Sequence, residues 1–176
     1  IYRWSYTGKK HYRQDSFWKL LKELELKLSV IIVSFNCKVY LDFCIQSVIS
    51  ALKDIDGEII VIDNNSSDGT KSYIKSKDYK INFLESDGNM GFSKANNKAV
   101  KVAKGEYIFF LNPDTIIPEK LFLNFFNSES SFKNMGIVGH RMIDGNGQFL
   151  KESKRNSPSL IIACLLYTSP SPRDRW

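Results

Sequence analysis

Histidine is scarce in this 176-residue chain: there are two, His11 and His140, far apart, which argues against a histidine-based zinc site. The three cysteines, Cys37, Cys44 and Cys164, form no C-x-x-C pair and are odd in number. They suggest reduced thiols in a cytosolic setting rather than a disulfide framework. No apolar run approaches the ~18–20 residues that a membrane span needs. The start, I-Y-R-W-S-Y-T-G-K-K, carries charge but no apolar segment behind it, so no signal peptide is expected there. The chain begins with Ile1 rather than Met, and the expectation is that its true beginning is missing.

What is present reads as one globular domain. Hydrophobic residues make up 43%, enough for a sizeable core at this length. The net charge is +6, with much of the excess in the first 27 residues and near the end. That balance favours anionic partners (nucleic acid, acidic headgroups or phosphorylated substrates) without choosing among them. Residues 1–27 mix aromatic and basic side chains, and Ser16 to Lys22 has the pattern of an amphipathic helix. It suits either an interfacial helix on an anionic membrane or a surface helix docking on the domain.

From Leu28 a βα rhythm sets in. Leu28–Val33, Glu58–Ile62, Tyr79–Glu85, Tyr107–Leu111 and Gly136–Met142 read as strands. Between them, Val39–Leu52, Lys71–Lys77, Asn89–Lys104 and Glu119–Phe126 read as helices, the last opened by Pro118. Gly105 is placed just past the end of its helix, and Ser67 or Asp68 at a helix N-cap. Cys44 falls on an apolar helix side, as a packed core thiol. Asp144-Gly145-Asn146-Gly147 is hairpin-turn chemistry leading into Gln148–Lys151. Alternating strands and helices mean an open, mostly parallel sheet flanked by helices. Beyond Ser159 the pattern fails: Leu160–Leu166 is apolar without a partner, and T-S-P-S-P-R-D-R-W reads as a disordered tail or as translated adapter sequence. Residues 160–176 are therefore expected to be non-native or disordered.

The stretch F-F-L-N-P-D-T-I-I-P, Phe109 to Pro118, concentrates the chemistry. A buried strand with few solvent-facing positions stops at Asn112-Pro113-Asp114, where Pro113 fixes its own φ and biases Asn112 toward extension. A carboxylate on so stiff a corner can hold a divalent cation against a phosphate oxygen. The same three residues are also ordinary turn formers. Polar groups recur at other strand ends, in Ser34-Phe35-Asn36, Asp63-Asn64-Asn65 and Asn89-Met90-Gly91. In a parallel sheet these ends share one edge and form one crevice.

Taken together, V-S-F-N, I-D-N-N-S-S-D-G-T, N-M-G-F-S-K-A-N-N and L-N-P-D resemble the family 2 glycosyltransferases with the GT-A fold, the Rossmann-like nucleotide-diphospho-sugar transferases. The rhamnosyltransferase-like group of bacterial surface-polysaccharide synthesis is the nearest flavour. The resemblance covers Leu28 to about Ser159, so the expected layout is a basic, aromatic helical extension over 1–27, a GT-A domain over 28–159 lacking its C-terminal part, and the tail. It implies that Ser34, Phe35 and Asn36 line the nucleotide pocket and that Asp63 meets the nucleobase, with Asn65 beside it. Asn89, Gly91 and Asn97 would pass close to the sugar diphosphate, where a glycine permits close approach. Lys94 stands open between a solvated lysine and a phosphate partner. Asn112 and Asp114 occupy the family's D-x-D positions with the first Asp replaced. Asp114 is then the main ligand of a divalent metal, Mg or Mn, and Asn112 its helper.

The reaction so implied is inverting transfer of a hexosyl or rhamnosyl group from a dTDP- or UDP-linked sugar to a saccharide or lipid-linked acceptor. Its setting would be cytoplasmic, with peripheral contact at the inner face of the plasma membrane. The family's general base lies in a later acidic segment; Asp144 in its turn and Glu152 in a basic stretch are no counterpart, so binding without turnover is expected of this stretch alone. His140, Arg141, Lys154 and Arg155 are either surface residues or acceptor-side groups. A different class, a non-catalytic nucleotide-binding α/β domain, stays open. Nucleic-acid binding lacks a recognition motif, and a nucleotidyltransferase would need a Gly-rich, Arg-Lys loop that Ser34-Phe35-Asn36-Cys37 does not supply.

Overall fold

The computed structural model describes residues 26–128 and 136–150. The chain divides into two units, Ile1–Ser130 and Ser131–Trp176. The first unit holds a parallel sheet in the order β3-β2-β1-β4, made of β1 (Leu28–Ser34), β2 (Gly57–Asp63), β3 (Asn82–Glu85) and β4 (Tyr107–Leu111). Helices α1 (Lys38–Ala51), α2 (Thr70–Lys75), α3 (Phe92–Val100) and α4 (Leu121–Asn127) connect and flank the strands.

Two apolar layers explain why β1 and β2 are continuous β-branched runs rather than alternating ones. Leu28, Val30, Ile32, Ile59 and Val61 point to one face, where Leu41, Cys44, Ile45 and Val48 of α1 and Phe122 of α4 cover them. Ile31, Val33, Ile60 and Ile62 point to the other and meet Ala95 and Ala99 of α3. Alanine at both positions lets the helix axis come close to the sheet. Because α1 and α3 lie on opposite faces, the chain first winds from β1 toward β3 and then returns across the sheet to β4, as a single crossover hand requires. The direction of winding therefore reverses between β1 and β4.

Several boundaries differ from expectation for local reasons. The third strand begins at Asn82, not Tyr79. Tyr79 is drawn to α1 by its hydroxyl, which donates to Asp42 Oδ1 at 2.6 Å, and the Ile81 amide turns back to the Tyr79 carbonyl. Helix α3 ends at Val100, and Gly105 does not act as a left-handed cap. It is there for space: a Cβ would collide with the Ser29 amide and the Leu28 carbonyl carbon, and the Gly105 amide donates to Ser29 Oγ at 2.8 Å. Pro118 does not open α4; its carbonyl accepts from Leu121 N in a preceding turn. β4 is less enclosed than its composition indicates, since Phe110 is 54% exposed.

In the second unit, the expected strand Gly136–Met142 is not formed. Gly136 and Gly139 weaken an extended segment, and Ile137 stands in solvent. The Asp144–Gly147 turn is as expected: Asp144 N donates to the Gln148 carbonyl and Gly147 N to the Asp144 carbonyl, and one antiparallel bridge joins Ile143 to Phe149. The Arg141 guanidinium lies 5.0 Å over the Phe149 ring. Burial lowers the His140 imidazole from its ordinary range. The N-terminal helix expected from Ser16, together with Glu152, Lys154, Arg155, Cys164 and the tail, lies outside the described residues.

Candidate functional site

The reversal between β1 and β4 is a topological switch point, the place where open α/β sheets hold ligands. The loops after all four strands rise from the corresponding edge of the sheet. Strand register sets their heights: Ser34 of β1 is level with Asp63 of β2, and Asp63 with Glu85 of β3.

Beneath the rim, Asp63 is 1% exposed. One of its oxygens accepts from Ser34 Oγ at 3.2 Å and Ser66 Oγ at 2.6 Å, the other from the Ser66 amide at 2.9 Å. Both of its oxygens are thus engaged by the loop that they shape. Above it, Asn36 binds the same loop from the β1 side. Its amide donates to Ser66 Oγ, and its Oδ1 accepts from the Ser67 amide at 2.8 Å. Asn36 and Asn65 both sit at positive φ, 50° and 67°. Asparagine tolerates that region better than most side-chain-bearing residues, so part of the reason for asparagine here is the backbone itself.

Asp68 ties two helices to this corner. Its Oδ2 accepts from the Lys38 amide at the start of α1, and its Oδ1 from the Thr70 amide and hydroxyl at the start of α2. Those N–H groups have no partner within their own helices. Although burial pushes the Asp68 carboxyl up, the hydrogen bonds from Thr70 and Lys38 outweigh it and hold the group below its ordinary range. The N-cap expected at Ser67 or Asp68 falls instead at Gly69, whose φ of 81° makes the turn into the helix; Asp68, one residue earlier, supplies the carboxylate that the Thr70 amide needs because glycine has no side chain to cap it.

The β3 loop is joined to β2 through Asn64, a residue the sequence pattern gave no role, unlike its neighbour Asn65. Asn64 Oδ1 accepts from the Met90 amide at 2.9 Å, and its Nδ2 donates to Asn89 Oδ1 at 2.8 Å. Asn89 Oδ1 also takes the Gly91 amide; at Gly91, φ is 80° and open space surrounds the position a Cβ would occupy, so the backbone stays accessible. Ser86 adds hydrogen bonds from its amide and hydroxyl to the Asp63 carbonyl. Asn64 and Ser66 were marked only as members of a polar strand end, without roles, and Ser86 not at all; the register at the strand ends brings them together. Lys94 and Asn97 are exposed on α3, and Asn97 lies more than one helical turn beyond Phe92.

The β4 loop is held more lightly. The Cys44 thiol donates to the Asn112 carbonyl at 3.6 Å, and the Ile117 amide donates to Ser47 Oγ. Asn112 and Asp114 are exposed. Burial pushes the Cys44 thiol up to about 12, and the Asp114 charge adds to the shift. Burial likewise raises half-buried Cys37, followed by the charges of Asp68, Asp63 and Asp114. Phe35, the first residue past β1, is 47% exposed.

Among the described residues no three His, Cys, Asp or Glu side chains gather into a metal cluster. Asp114 and Asn112 offer hard oxygen donors, and such a pair fits a cation that completes its shell with phosphate oxygens and water.

The family model described as Glycosyl transferase family 2 matches residues 29–169. The chain belongs to glycosyl transferase family 2. It is 32% identical over 126 residues to the poly(ribitol-phosphate) beta-N-acetylglucosaminyltransferase TarP of Staphylococcus aureus N315, covering 69% of this chain and 38% of that protein. It is 34% identical over 134 residues to a GalNAc(5)-diNAcBac-PP-undecaprenol beta-1,3-glucosyltransferase of Campylobacter jejuni, covering 72% and 41%. Among solved structures, S. aureus TarS 1-349 in complex with UDP-GlcNAc superposes with a TM-score of 0.54 at 25% identity, covering 66% of this chain and 38% of that one. The fold is the GT-A type expected of the family. The chain spans about two fifths of the length of these relatives.

Proposed function

We infer that this glycosyltransferase domain binds a nucleotide-diphospho-sugar, UDP-linked in preference to dTDP-linked, and serves sugar transfer to a saccharide or lipid-linked acceptor in cell-surface glycan synthesis. The observation that carries the reading is the β1–β4 switch point, where the loops after β1, β2 and β3 are hydrogen-bonded to one another through Ser34, Asp63, Asn64 and Asn89 while the β4 loop leaves Asp114 exposed. The related proteins named above act on poly(ribitol-phosphate) and on an undecaprenol-linked glycan, which supports an acceptor of that kind. The UDP-GlcNAc held by TarS supports uracil as the base.

In this reading Ser34, Phe35 and Asn36 line the base pocket, the exposed Phe35 ring offering a stacking face. Asp63 frames that pocket from below, and Asn65 lies at its side. Gly91 and Asn89 approach the diphosphate, with Lys94 and Asn97 further along α3. Asp114, helped by Asn112, would hold a divalent cation, Mg or Mn. When bound, the cation supplies charge that stabilises the departing nucleoside diphosphate. The acceptor attacks the anomeric carbon from the opposite face with inversion, and the base that takes its proton is assigned outside 28–159. The protein works in the cytoplasm in this account, with peripheral contact at the membrane. Among the described residues no helix is long and apolar enough to cross one.

Isothermal titration of the full chain with UDP, UDP-GlcNAc, dTDP and ADP in Mn²⁺ tests the reading. UDP should bind and ADP should not. Equal binding of UDP and ADP would favour a general nucleotide-binding domain, and binding of none would refute the reading.

A further inference from the structure

We propose that Asn64 is the positioning residue that sets the phosphate side of the crevice, by holding the Ser86–Gly91 loop at the height of the β2 end. The proposal rests on the nucleotide-sugar reading above and goes beyond it by naming the residue that couples the two sides of the pocket.

Asn64 is 3% exposed, yet it is the first residue past β2, where a side chain could have faced solvent. It is instead spent on three loops. Its backbone amide donates to the Ser34 carbonyl at 2.8 Å, fixing it to the β1 end. Its Oδ1 takes the Met90 amide and, at 3.4 Å, Ser86 Oγ. Its Nδ2 donates to Asn89 Oδ1, the same oxygen that receives the Gly91 amide. The amide group therefore uses both donor and acceptor, and no isosteric side chain with a single polarity can do the same. Removing it would strand the Met90 amide and leave Asn89 free to turn, which releases Gly91 and the start of α3 together. The base-side contacts, through Ser66 to Asn36 and Asp63, do not pass through the Asn64 side chain. A lesion here should thus divide the ligand: the phosphate end is lost and the nucleoside end retained.

The test compares uridine with UDP on the full chain in Mn²⁺, by calorimetry, for wild type and Asn64→Ala. UDP affinity should fall about tenfold, the effect of one or two hydrogen bonds, while uridine affinity changes by less than about twofold. Amide hydrogen exchange supplies a readout independent of ligand: the Met90 and Gly91 amides should exchange faster in Asn64→Ala, with the core of β1 unchanged. Should that variant not fold, Asn64→Asp keeps the acceptors for Met90 and Ser86 but sets a charged oxygen against Asn89 Oδ1; it should weaken UDP by at least about threefold and spare uridine, and the loss should persist at high salt, which separates the broken contact from repulsion of the phosphates. Equal weakening of both ligands would overturn the proposal in favour of a general structural role, and unchanged UDP binding would overturn it outright. A wild-type chain that binds neither probe refutes the nucleotide reading and any binding role for Asn64, while the exchange rates still report whether Asn64 holds the loop.

Discussion

Where β1, β2 and β3 end, buried Ser34, Asp63, Asn64 and Ser86 interlock with half-buried Ser66 and exposed Asn36 in one hydrogen-bonded shelf. Where β4 ends, Asn112 and Asp114 stand exposed, and the loop is tethered to α1 by the Cys44 thiol and Ser47 Oγ. The first half of the rim is built before any ligand arrives. The second keeps its carboxylate available. In physical terms the difference follows from satisfaction: a buried carboxylate must spend its oxygens on donors, whereas an exposed one keeps them for a cation. Base recognition is thus expected to be preorganised, and metal and diphosphate binding to order the β4 loop.

The sharpest way to break this contrast is to truncate a carboxylate in each half. Asp63→Ala strands the Ser34 and Ser66 donors in a buried place and should cost about 3 kcal/mol of stability by urea denaturation; a loss below about 1 kcal/mol would mean that the shelf is not prebuilt. Asp114→Ala should leave stability within about 0.5 kcal/mol but lower Mn²⁺-dependent UDP affinity about tenfold, read by calorimetry with and without chelator. Mild acid gives a smaller effect. Asp68 and Glu85 are both held below their ordinary values, Asp68 by Thr70 and Lys38 against the opposing effect of burial, and Glu85 by Lys71 and Lys75. A carboxylate with a depressed folded pKa stabilises above its unfolded value, and that contribution is lost as pH falls through the folded value. Thermal midpoints should therefore fall slightly from about pH 6 to below the ordinary values of 3.8 and 4.5, and less so in Asp68→Asn. The smallest effect belongs to Asn65→Gly. At φ 67° the glycine relieves a left-handed backbone and should raise stability by about 0.5 kcal/mol; a loss would assign the Asn65 side chain a contact of its own.

The same division governs what could be read from the chain alone. β1, β2, β4 and the packing of Cys44 were legible because runs of β-branched residues with helical spacing between them have few other solutions. The polar strand ends were legible too, as candidates. What escaped was how they are used. In D-N-N-S, side-chain chemistry does not distinguish Asn64 from Asn65; the structure buries the first and places the second at positive φ. Gly105 looked like a helix cap because its role depends on Ser29, 76 residues away in sequence. The strand expected over Gly136–Met142 failed because its apolar residues, unlike those of β1, have two glycines among them and, among the described residues, no sheet neighbour.

One experiment reaches the central claim most directly: amide spectra of the full chain with UDP, followed by trace Mn²⁺ as a paramagnetic probe. UDP is expected to shift amides of residues 34–36 and 64–67, and Mn²⁺ then to broaden residues 112–115 most strongly, with weaker broadening at Asn89 to Gly91. Broadening centred on a different acidic patch, with residues 112–115 left sharp, would contradict the division of the rim into a prebuilt base side and an open metal side.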